Sequence, residues 1–316
     1  MAEFGNSTSL GELHDTLFGV WSFSQSECIT WMIVQFTVSV ATVTLNGLSI
    51  IVFLREHSLR KRHMYLVINL TVADLLAGGF SPFILFRDMM TPCRKWKMFL
   101  WIPIGNLAAI LSGLAAFFAL SSLTNLAAIS LERLHATFRP FKHRLMKKKT
   151  FGAAVVAVWF TVGILLAVDL TLASYGVHLP YAFDVYLFIS CCLLIILVSY
   201  TSIAAKINRE KHPRRHGGVN KERKLTKTLF IVTNVSLMLS LPNIILHFVV
   251  DSVDSIAYTL YFRTYWVSLC LFSLNSLVNP ILYGFRIPEF KRALFSVLLC
   301  RPLSARHIVE FPLDVM

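Results

Sequence analysis

Residues 274–283 read Leu-Asn-Ser-Leu-Val-Asn-Pro-Ile-Leu-Tyr, and they lie inside a charge-free run, Thr264–Phe285, that is long enough to cross a bilayer as a helix. Pro280 has no N–H to donate, and its ring crowds the carbonyl one turn earlier, so a helix here must kink. The backbone groups that the kink frees need other partners, because the hydrocarbon of a bilayer offers none. The two asparagines and the serine of the stretch carry polar groups close to the kink. A kinked, polar helix within a membrane indicates a protein that changes shape, although a span that merely tolerates proline has the same pattern.

The composition of the whole chain is that of an integral membrane protein. Its 316 residues are 56% hydrophobic and 15% charged, with a mean hydropathy of +0.65, whereas a soluble domain carries about 25% charged residues. The sequence predicts an all-α integral membrane protein, a seven-transmembrane helix bundle with a short amphipathic C-terminal helix. The predicted spans, each long enough to cross the hydrocarbon, are Ile29–Leu54, Met64–Phe86, Met98–Leu131, Thr150–Val168, Val185–Ala205, Thr228–Val250 and Thr264–Phe285.

The distribution of basic residues predicts the orientation of the chain. Most of the 30 Lys and Arg residues follow the first, third, fifth and seventh spans, and short connections rich in Lys and Arg stay in the cytoplasm. The N-terminus is therefore expected outside the cell, and the chain in the plasma membrane. The net charge of +13 follows from this topology, and it suits membrane lipids and an acidic intracellular partner rather than nucleic acid.

The segments that flank the spans carry signals of their own. Phe290, Leu294 and Leu298 recur every fourth residue, so the C-terminal helix is expected to lie along the membrane surface. Asn6 opens a glycosylation sequon, and Cys300 is either a palmitoylation site or a plain free thiol. The predicted division of the chain is an extracellular tail over 1–28, the bundle over 29–286, the amphipathic surface helix over 287–300 and a cytoplasmic tail over 301–316.

Asp74 is a carboxylate near the middle of the second span. Such a charge costs roughly 2.5–3.5 kcal/mol to insert and marks a functional site by default. Ser122 lies about three turns before Arg133 on the third span, which places its hydroxyl near mid-membrane. A carboxylate among hydroxyls and amides predicts a site for a hard cation, Na⁺, while a protonated Asp74 bonded to the same groups is the alternative. The predicted sodium site consists of Asp74, Ser122, Asn275, Ser276 and Asn279, with Asn46 of the first span nearby.

Charged residues also mark the cytoplasmic ends of two spans. Glu132 and Arg133 end the third span, and Glu222 begins the sixth. An Arg–carboxylate contact between these helix ends would hold a cytoplasmic cleft closed, although solvated charges near a membrane surface have the same pattern. Pro242 is expected to kink the sixth span, as Pro280 kinks the seventh, so the cytoplasmic halves can move relative to the outer halves.

These residues together resemble the rhodopsin-like family of G-protein-coupled receptors over nearly the whole chain. The resemblance implies that a ligand in the outer half opens a cleft between the third and sixth helices to a heterotrimeric G protein, and that Tyr200 and Tyr283 support the open state. The implied switch residues are Glu132, Arg133, Glu222, Tyr200, Asn279, Pro280 and Tyr283. One signature per helix carries the likeness: Asn46, Asn69-Leu70-x-x-Ala73-Asp74, Glu132-Arg133-Leu134, Trp159, Tyr200, Pro242, and Asn279-Pro280-x-x-Tyr283 followed by Phe290.

Departures from the family pattern indicate which branch of the family the chain resembles. Ala108 stands where most members have a disulfide cysteine, and Cys192 stands where a proline is usual. Ser240 and Ser236 replace the usual tryptophan and phenylalanine of the sixth span. The chain looks most like the branch that holds melanocortin, cannabinoid, lysophospholipid and adenosine receptors, and the subfamily stays open. Two other cysteines, Cys28 and Cys93, are both expected outside and would pair where geometry permits.

The ligand is constrained mainly by exclusion. Ala115 stands where amine receptors have an aspartate, and Ser273 stands where an opsin has its retinal lysine. A small molecule, a lipid and a peptide all remain open as ligands. The predicted pocket consists of Ala115, Ala116, Ala119, Asn243, His247, His178 and Arg263.

Other classes of function fit the sequence less well. A transporter would show inverted repeats and broken helices at corresponding positions, which the sequence does not have. An enzyme is not expected, because no nucleophile–base set or metal-ligand cluster occurs, and no cofactor is expected beyond an allosteric Na⁺. A constitutively active or ligand-less receptor of the same fold is the principal alternative, given Leu134, Ser236 and Ser240.

Overall fold

A computed structural model shows a helical bundle in the part of the chain that it describes, residues 24–56, 59, 64–89, 103–174, 183–209, 231, 234–246, 258–286 and 288–299. Several side chains near helix ends, including that of Tyr283, lie outside the described set. The helices are α1 Gln25–Arg55, α2 Tyr65–Met89, α3 Pro103–Phe138, α4 Pro140–Leu145, α5 Lys148–Ser174, α6 Phe183–Arg209, α7 Asn234–Leu246, α8 Tyr258–Arg286 and α9 Pro288–Leu298.

The helices confirm the predicted all-α membrane fold. Six of them, α1, α2, α3, α5, α6 and α8, are long and apolar enough to cross a membrane, and α7 is a shorter apolar helix within the sixth predicted span. The third helix runs on past Leu131 to Phe138 and so carries Glu132 and Arg133 within it. We call the two ends of the bundle the Glu27 end, where α1 begins, and the Glu132 end, where α3 finishes.

Helix α1 begins at a capping box. The Ser24 hydroxyl accepts the Glu27 backbone N–H at 3.2 Å, and the Glu27 carboxylate accepts the Ser24 backbone N–H at 3.4 Å. Each bond satisfies a donor that the first turn of a helix leaves unpaired. The start of the first span is thereby fixed near the predicted boundary of the N-terminal tail.

The buried face of α1 is polar. Ile33, Phe36 and Leu54, on the opposite face, are 61%, 63% and 63% exposed. Small polar residues at helix–helix interfaces allow close packing and hydrogen bonding inside a membrane. Helix α1 therefore turns its polar side to the bundle and its apolar side to lipid. The buried stripe, spaced alternately by four and three residues as a helix seam requires, is Gln35, Ser39, Thr42, Asn46 and Ser49.

Helix α1 also completes the hydrogen bonding of two proline-containing helices. Pro280 leaves the carbonyl of Ser276 without its helical donor, and Asn46 Nδ2 donates to that carbonyl at 3.1 Å. Pro82, inside α2, likewise leaves the carbonyl of Gly78 without its helical donor. The hydroxyls of Ser39 and Ser81 both donate to this carbonyl. These bonds hold α1, α2 and α8 together around Asp74.

Helix α9 confirms the predicted short C-terminal helix. Phe290 is 1% exposed, and its ring lies 5.4 Å from the ring of Phe53 at the end of α1. Ala293 is also buried, whereas Lys291 and Arg292 are exposed. The helix is therefore packed under the Glu132 end of the bundle by its apolar side. Cys300 lies outside the described residues.

Candidate functional site

Asp74 lies at the centre of a polar cluster inside the bundle and is 0% exposed. The Ser122 hydroxyl donates to Asp74 Oδ1 at 2.5 Å, and Asn279 Nδ2 donates to Asp74 Oδ2 at 2.7 Å. The Ser276 hydroxyl is a further hydrogen-bonding neighbour of the carboxylate. The structure therefore brings together side chains from α2, α3 and α8 around one buried carboxylate.

Three asparagines on α1 and α8, one of them the Asp74 partner Asn279, have amide oxygens without a hydrogen-bond partner within the described part of the chain. These oxygens are the Oδ1 atoms of Asn46, Asn275 and Asn279, in side chains that are at most 3% exposed. A buried acceptor without a donor costs about 1–3 kcal/mol. Oxygen atoms of carboxylate, amide and hydroxyl groups are the donors that hard cations prefer. The residues present therefore fit a small hard cation such as Na⁺.

A cavity of about 880 Å³ opens within the bundle. Ligand pockets in proteins typically have volumes of about 300–1,000 Å³. Four of the predicted pocket residues line this cavity: Ala115, Ala116, Ala119 and Asn243. The cavity also reaches Ser122, Asn275 and Ser276 of the predicted sodium site.

The other predicted pocket residues are placed differently. Arg263 Nη2 lies 2.6 Å from Glu27 Oε1, so this arginine is paired with the first turn of α1 and is not among the residues that line the cavity. Both side chains are partly exposed, at 53% and 34%. His178 and His247 lie outside the described residues.

A second buried polar cluster supports the wall of the cavity near the Glu27 end. Gln35 Nε2 donates to Ser81 Oγ at 3.1 Å and to Ser273 Oγ at 3.0 Å. The thiol of Cys270 points at Gln35 Oε1 from 3.4 Å. Ser81 and Ser273 also line the cavity, so Gln35 fixes two of its hydroxyl groups from behind.

At the Glu132 end, a buried ion pair lies within α3. Arg133 Nε lies 2.7 Å from Glu132 Oε2, and both side chains are 6% exposed, but the contact lacks the alignment of a hydrogen bond. The other carboxylate oxygen, Glu132 Oε1, lies 2.6 Å from Nε2 of His143 on α4. Glu132 therefore holds α4 against α3 as well as neutralising Arg133.

The remaining predicted switch residues are only partly described. Tyr200 is 3% exposed on α6, and Asn279 and Pro280 lie in α8 as expected. Glu222 and the side chain of Tyr283 lie outside the described residues. The predicted contact of Arg133 with Glu222 therefore stays a prediction.

Helix α6 contacts the end of α3 through Lys206. Its Nζ donates to the carbonyl of Thr137 at 2.6 Å and lies 4.9 Å from the centre of the Phe138 ring. A cation at the C-terminus of a helix satisfies a free carbonyl and opposes the helix dipole. This bond closes the Glu132 end between α3 and α6.

A chain of hydrogen bonds joins α5 to α2 and α3. Trp159 Nε1 of α5 donates to Asn69 Oδ1 at 3.0 Å, and Asn69 Nδ2 donates to Asn125 Oδ1 at 2.8 Å. Asn125 in turn donates to the carbonyl of Ser121 at 2.9 Å. Two of the residues that carry the family likeness, Asn69 and Trp159, are therefore direct partners.

The cysteines fall into distinct groups. Cys28, buried at the start of α1, is disulfide-bonded. Cys191, Cys192 and Cys270 are free. Cys93 lies outside the described residues, as does Asn6 of the predicted glycosylation site, so the pairing of Cys28 with Cys93 stays a prediction.

Three residues that shape the buried hydrogen-bond networks were not singled out from the sequence. Pro82 was visible as a proline inside an apolar span, and Gln35 as a polar residue inside a charge-free one. His143 gave no such signal, because its contact with Glu132 depends on how α4 turns back beneath α3.

The chain matches a family model described as 7 transmembrane receptor (rhodopsin family) over residues 45–283. The chain belongs to this family, and it is therefore a multi-pass membrane receptor of the G-protein-coupled class. The match begins just before Asn46 and ends at Tyr283, so it covers the residues that carry the resemblance in the sequence up to the end of the seventh span.

Individual relatives are distant. The chain is 24% identical to the Opsin-VA of Rutilus rutilus over 85% of its own length and 74% of that protein. It is 26% identical to the somatostatin receptor type 4 of Rattus norvegicus, over 81% of the chain and 69% of the relative. It is 24% identical to the human lysophosphatidic acid receptor 1, over 75% of the chain and 67% of that receptor. Lysophospholipid receptors, one of the four groups named from the sequence, are therefore among its relatives.

Proposed function

We propose that this receptor transmits the binding of an extracellular or membrane-borne ligand to a heterotrimeric G protein. In this proposal the Glu27 end faces outward and the Glu132 end faces the cytoplasm of a cell whose plasma membrane holds the receptor. Binding shifts an equilibrium between closed and open forms by the difference in affinity for the two forms. The open form has a cleft between α3 and α7 at the Glu132 end.

The buried Arg133 is the observation that carries the proposal. Its side chain is 6% exposed, and its charge is neutralised by the adjacent Glu132 in a poorly aligned contact. A buried charge with such a partner is costly, so a modest displacement of the helix ends releases it. The freed arginine then becomes available to a protein partner, while Tyr200 and Tyr283 support the open form.

The hydrogen bonds around the proline kinks support a hinge motion. Asn46 bonds the carbonyl that Pro280 leaves free in α8, and kinked helices move their two halves relative to each other. The bond from Lys206 to Thr137 closes the same end between α3 and α6.

We also propose that Na⁺ binds beside Asp74 and favours the closed form. The Asp74 carboxylate and the unpaired amide oxygen of its partner Asn279 form a donor set of the right chemistry. The wild-type receptor should be more heat-stable in NaCl than in choline chloride, and Asp74→Asn should abolish the difference. An equal difference in the variant would rule the site out.

A constitutively active receptor is favoured by one further observation. The hydroxyls of Ser236 and Ser240 on α7 are buried and have no partner within the described residues. Unsatisfied buried groups raise the free energy of the form that contains them. An opened, more hydrated bundle would relieve this cost, so basal signalling without ligand is expected to be measurable.

The test is nucleotide exchange by G-protein α-subunits of each subtype in membranes that contain the receptor, without added ligand. Glu222→Ala should raise the basal rate, because it removes a proposed restraint on Arg133. Arg133→Ala should abolish exchange, and Arg55→Ala, an exposed arginine at the end of α1, should leave it unchanged. Equal exchange in all variants and the wild type would overturn the proposal.

A further inference from the structure

The cavity and the polar cluster around Asp74 form one continuous space. Ser122 and Ser276, which hydrogen-bond Asp74, line the deep end of the cavity, and Ile110 and Tyr265 line it near the Glu27 end. Along α8, at about 1.5 Å a residue, the distance from Tyr265 to Ser276 is roughly 16 Å. A molecule that enters the cavity can therefore reach the partners of Asp74.

Small side chains keep this passage open. Ala115, Ala116 and Ala119 line it along α3, and Ala119 lies one turn from Ser122. Gly78 of α2 also lines it. A larger side chain at position 119 would divide the outer part of the cavity from its deep end.

The chemistry of the wall is apolar with a few acceptors. None of the described residues that line the cavity is acidic or basic. Asn243 and Asn275 line it, are 8% and 3% exposed, and each has an Oδ1 without a hydrogen-bond partner among the described residues. These acceptors require donors from the occupant or from water. Apolar lining residues include Ile84, Ile110, Leu166, Ile189, Leu269 and Phe272.

We propose that the cavity binds an uncharged amphiphile whose hydroxyl or amide donors reach Asn243 and Asn275 while its apolar chain packs along the outer part. The proposal rests on the receptor function and names the class of ligand for the same site. An anionic headgroup gains no opposite charge from the lining residues named above, and burying it unpaired is costly. A purely apolar ligand leaves both amide oxygens unsatisfied.

The experiment measures thermal unfolding of the purified receptor in nanodiscs of dioleoylphosphatidylcholine. The probes are 1-monolauroylglycerol, which has two hydroxyl donors, lauric acid, which ionises, and methyl laurate, which has no donor. Monolauroylglycerol should raise the Tm in a saturable way. Lauric acid should act only weakly and methyl laurate should have no effect. Equal shifts from all three, or no shift from monolauroylglycerol, would overturn the proposal.

Variants locate the binding. Ala119→Phe should abolish the shift, whereas Ala157→Phe, the same change at an exposed position of α5, should keep it. Asn243→Leu should be at least as heat-stable as the wild type without ligand, because it removes a buried unpaired acceptor. The same variant should need about a tenfold higher concentration of monolauroylglycerol for half-saturation. A shift that survives unchanged in Ala119→Phe and Asn243→Leu would contradict the proposal.

The Tm measurement and the nucleotide-exchange assay together distinguish a failure of the proposed ligand class from a failure of the proposed signalling function. The Tm measurement contains no G protein, so a saturable shift without nucleotide exchange supports the ligand class and contradicts the proposed signalling. Nucleotide exchange without any shift contradicts the ligand class alone.

Discussion

Single polar atoms on α1 replace the hydrogen bonds that prolines remove from other helices. Asn46 donates to the carbonyl of Ser276, one turn before Pro280, and Ser39 donates to the carbonyl of Gly78, one turn before Pro82. The hydrocarbon of a bilayer offers these carbonyls no water as a hydrogen-bond donor. The two side chains thus satisfy the carbonyls that the prolines leave free, which allows kinked helices inside the hydrocarbon, where unpaired backbone groups are otherwise excluded.

Replacement of Asn46 tests this role. Asn46→Leu keeps the approximate volume but leaves the Ser276 carbonyl without its donor. Because the change also removes the unpaired Oδ1 of Asn46, the net loss of stability should be about 1 kcal/mol. The measurement is thermal unfolding in nanodiscs. Thr44→Val is the matched control, because Thr44 is exposed on the same helix and bonds only its own turn. An Asn46 variant as stable as this control would contradict the assigned role.

At the scale of elements, α1 and α2 approach each other at one glycine. An added Cβ at Gly78 would lie 2.7 Å from Thr42 Cγ2 and 2.9 Å from Thr42 Cβ, distances that real side chains do not adopt. The neighbouring Gly79 has its nearest contact, Val43 Cγ2, at 3.9 Å. The close approach lets the hydroxyl of Ser39 reach the backbone of α2 at Gly78, and Asp74 lies about one turn before Gly78 on the same helix.

The pair of glycines provides a controlled prediction. Gly78→Ala should separate α1 from α2 and cost about 1–3 kcal/mol of stability, the usual cost of overpacking. Gly79→Ala should be neutral or slightly stabilising, because the new methyl group makes an ordinary contact and alanine favours helix. Adding Thr42→Ser, which removes the closer methyl, should recover part of the loss in the Gly78 variant. Both measurements are thermal unfolding, and equal effects of the two alanines would contradict the packing argument.

At the scale of the whole molecule, both ends of the bundle have ion pairs, and among the described residues a disulfide-bonded cysteine lies only at the Glu27 end. The Glu27 end has a disulfide at Cys28 and the ion pair of Glu27 with Arg263. The Glu132 end is held by contacts such as the bond of Lys206 to the Thr137 carbonyl. A covalent bond does not open under thermal motion, while single polar contacts do. The arrangement suits a molecule that is anchored at one end and opens at the other.

The disulfide at Cys28 gives a prediction about the whole molecule. Cys28→Ser and Cys93→Ser should each lower stability by about 2–5 kcal/mol, and the double variant should lose no more than either single one. Cys300→Ser should have no effect. Peptide mapping by mass spectrometry without reductant should show the Cys28–Cys93 linkage. Additive losses, or a linkage to Cys300, would contradict the predicted pairing.

The fold was largely predictable from hydropathy, because the runs that avoid charge, such as Ile29–Leu54, must cross a bilayer. The partners of Asp74 were also predictable, since polar residues in an apolar span have only one another to bond. The contact of His143 with Glu132 was not, because it depends on the turn between α3 and α4 rather than on any periodicity. Nor does the sequence show that the cavity is continuous with the polar cluster, because that depends on how helices distant in the sequence lean together.

The polar face of α1 also sets an order of events during biosynthesis. The first span enters the membrane while Ser276, which accepts the bond from Asn46, is still 230 residues away along the chain. At about 5–20 residues per second, the ribosome needs roughly 10–50 seconds to make that partner. During this time the Asn46 amide can donate to the Thr42 carbonyl of its own helix, as it also does in the folded receptor at 3.0 Å, but its bond across to α8 must wait. A nascent chain that stops before α8 leaves Asn46 without its acceptor on that helix, a defect that quality control can detect within the membrane itself.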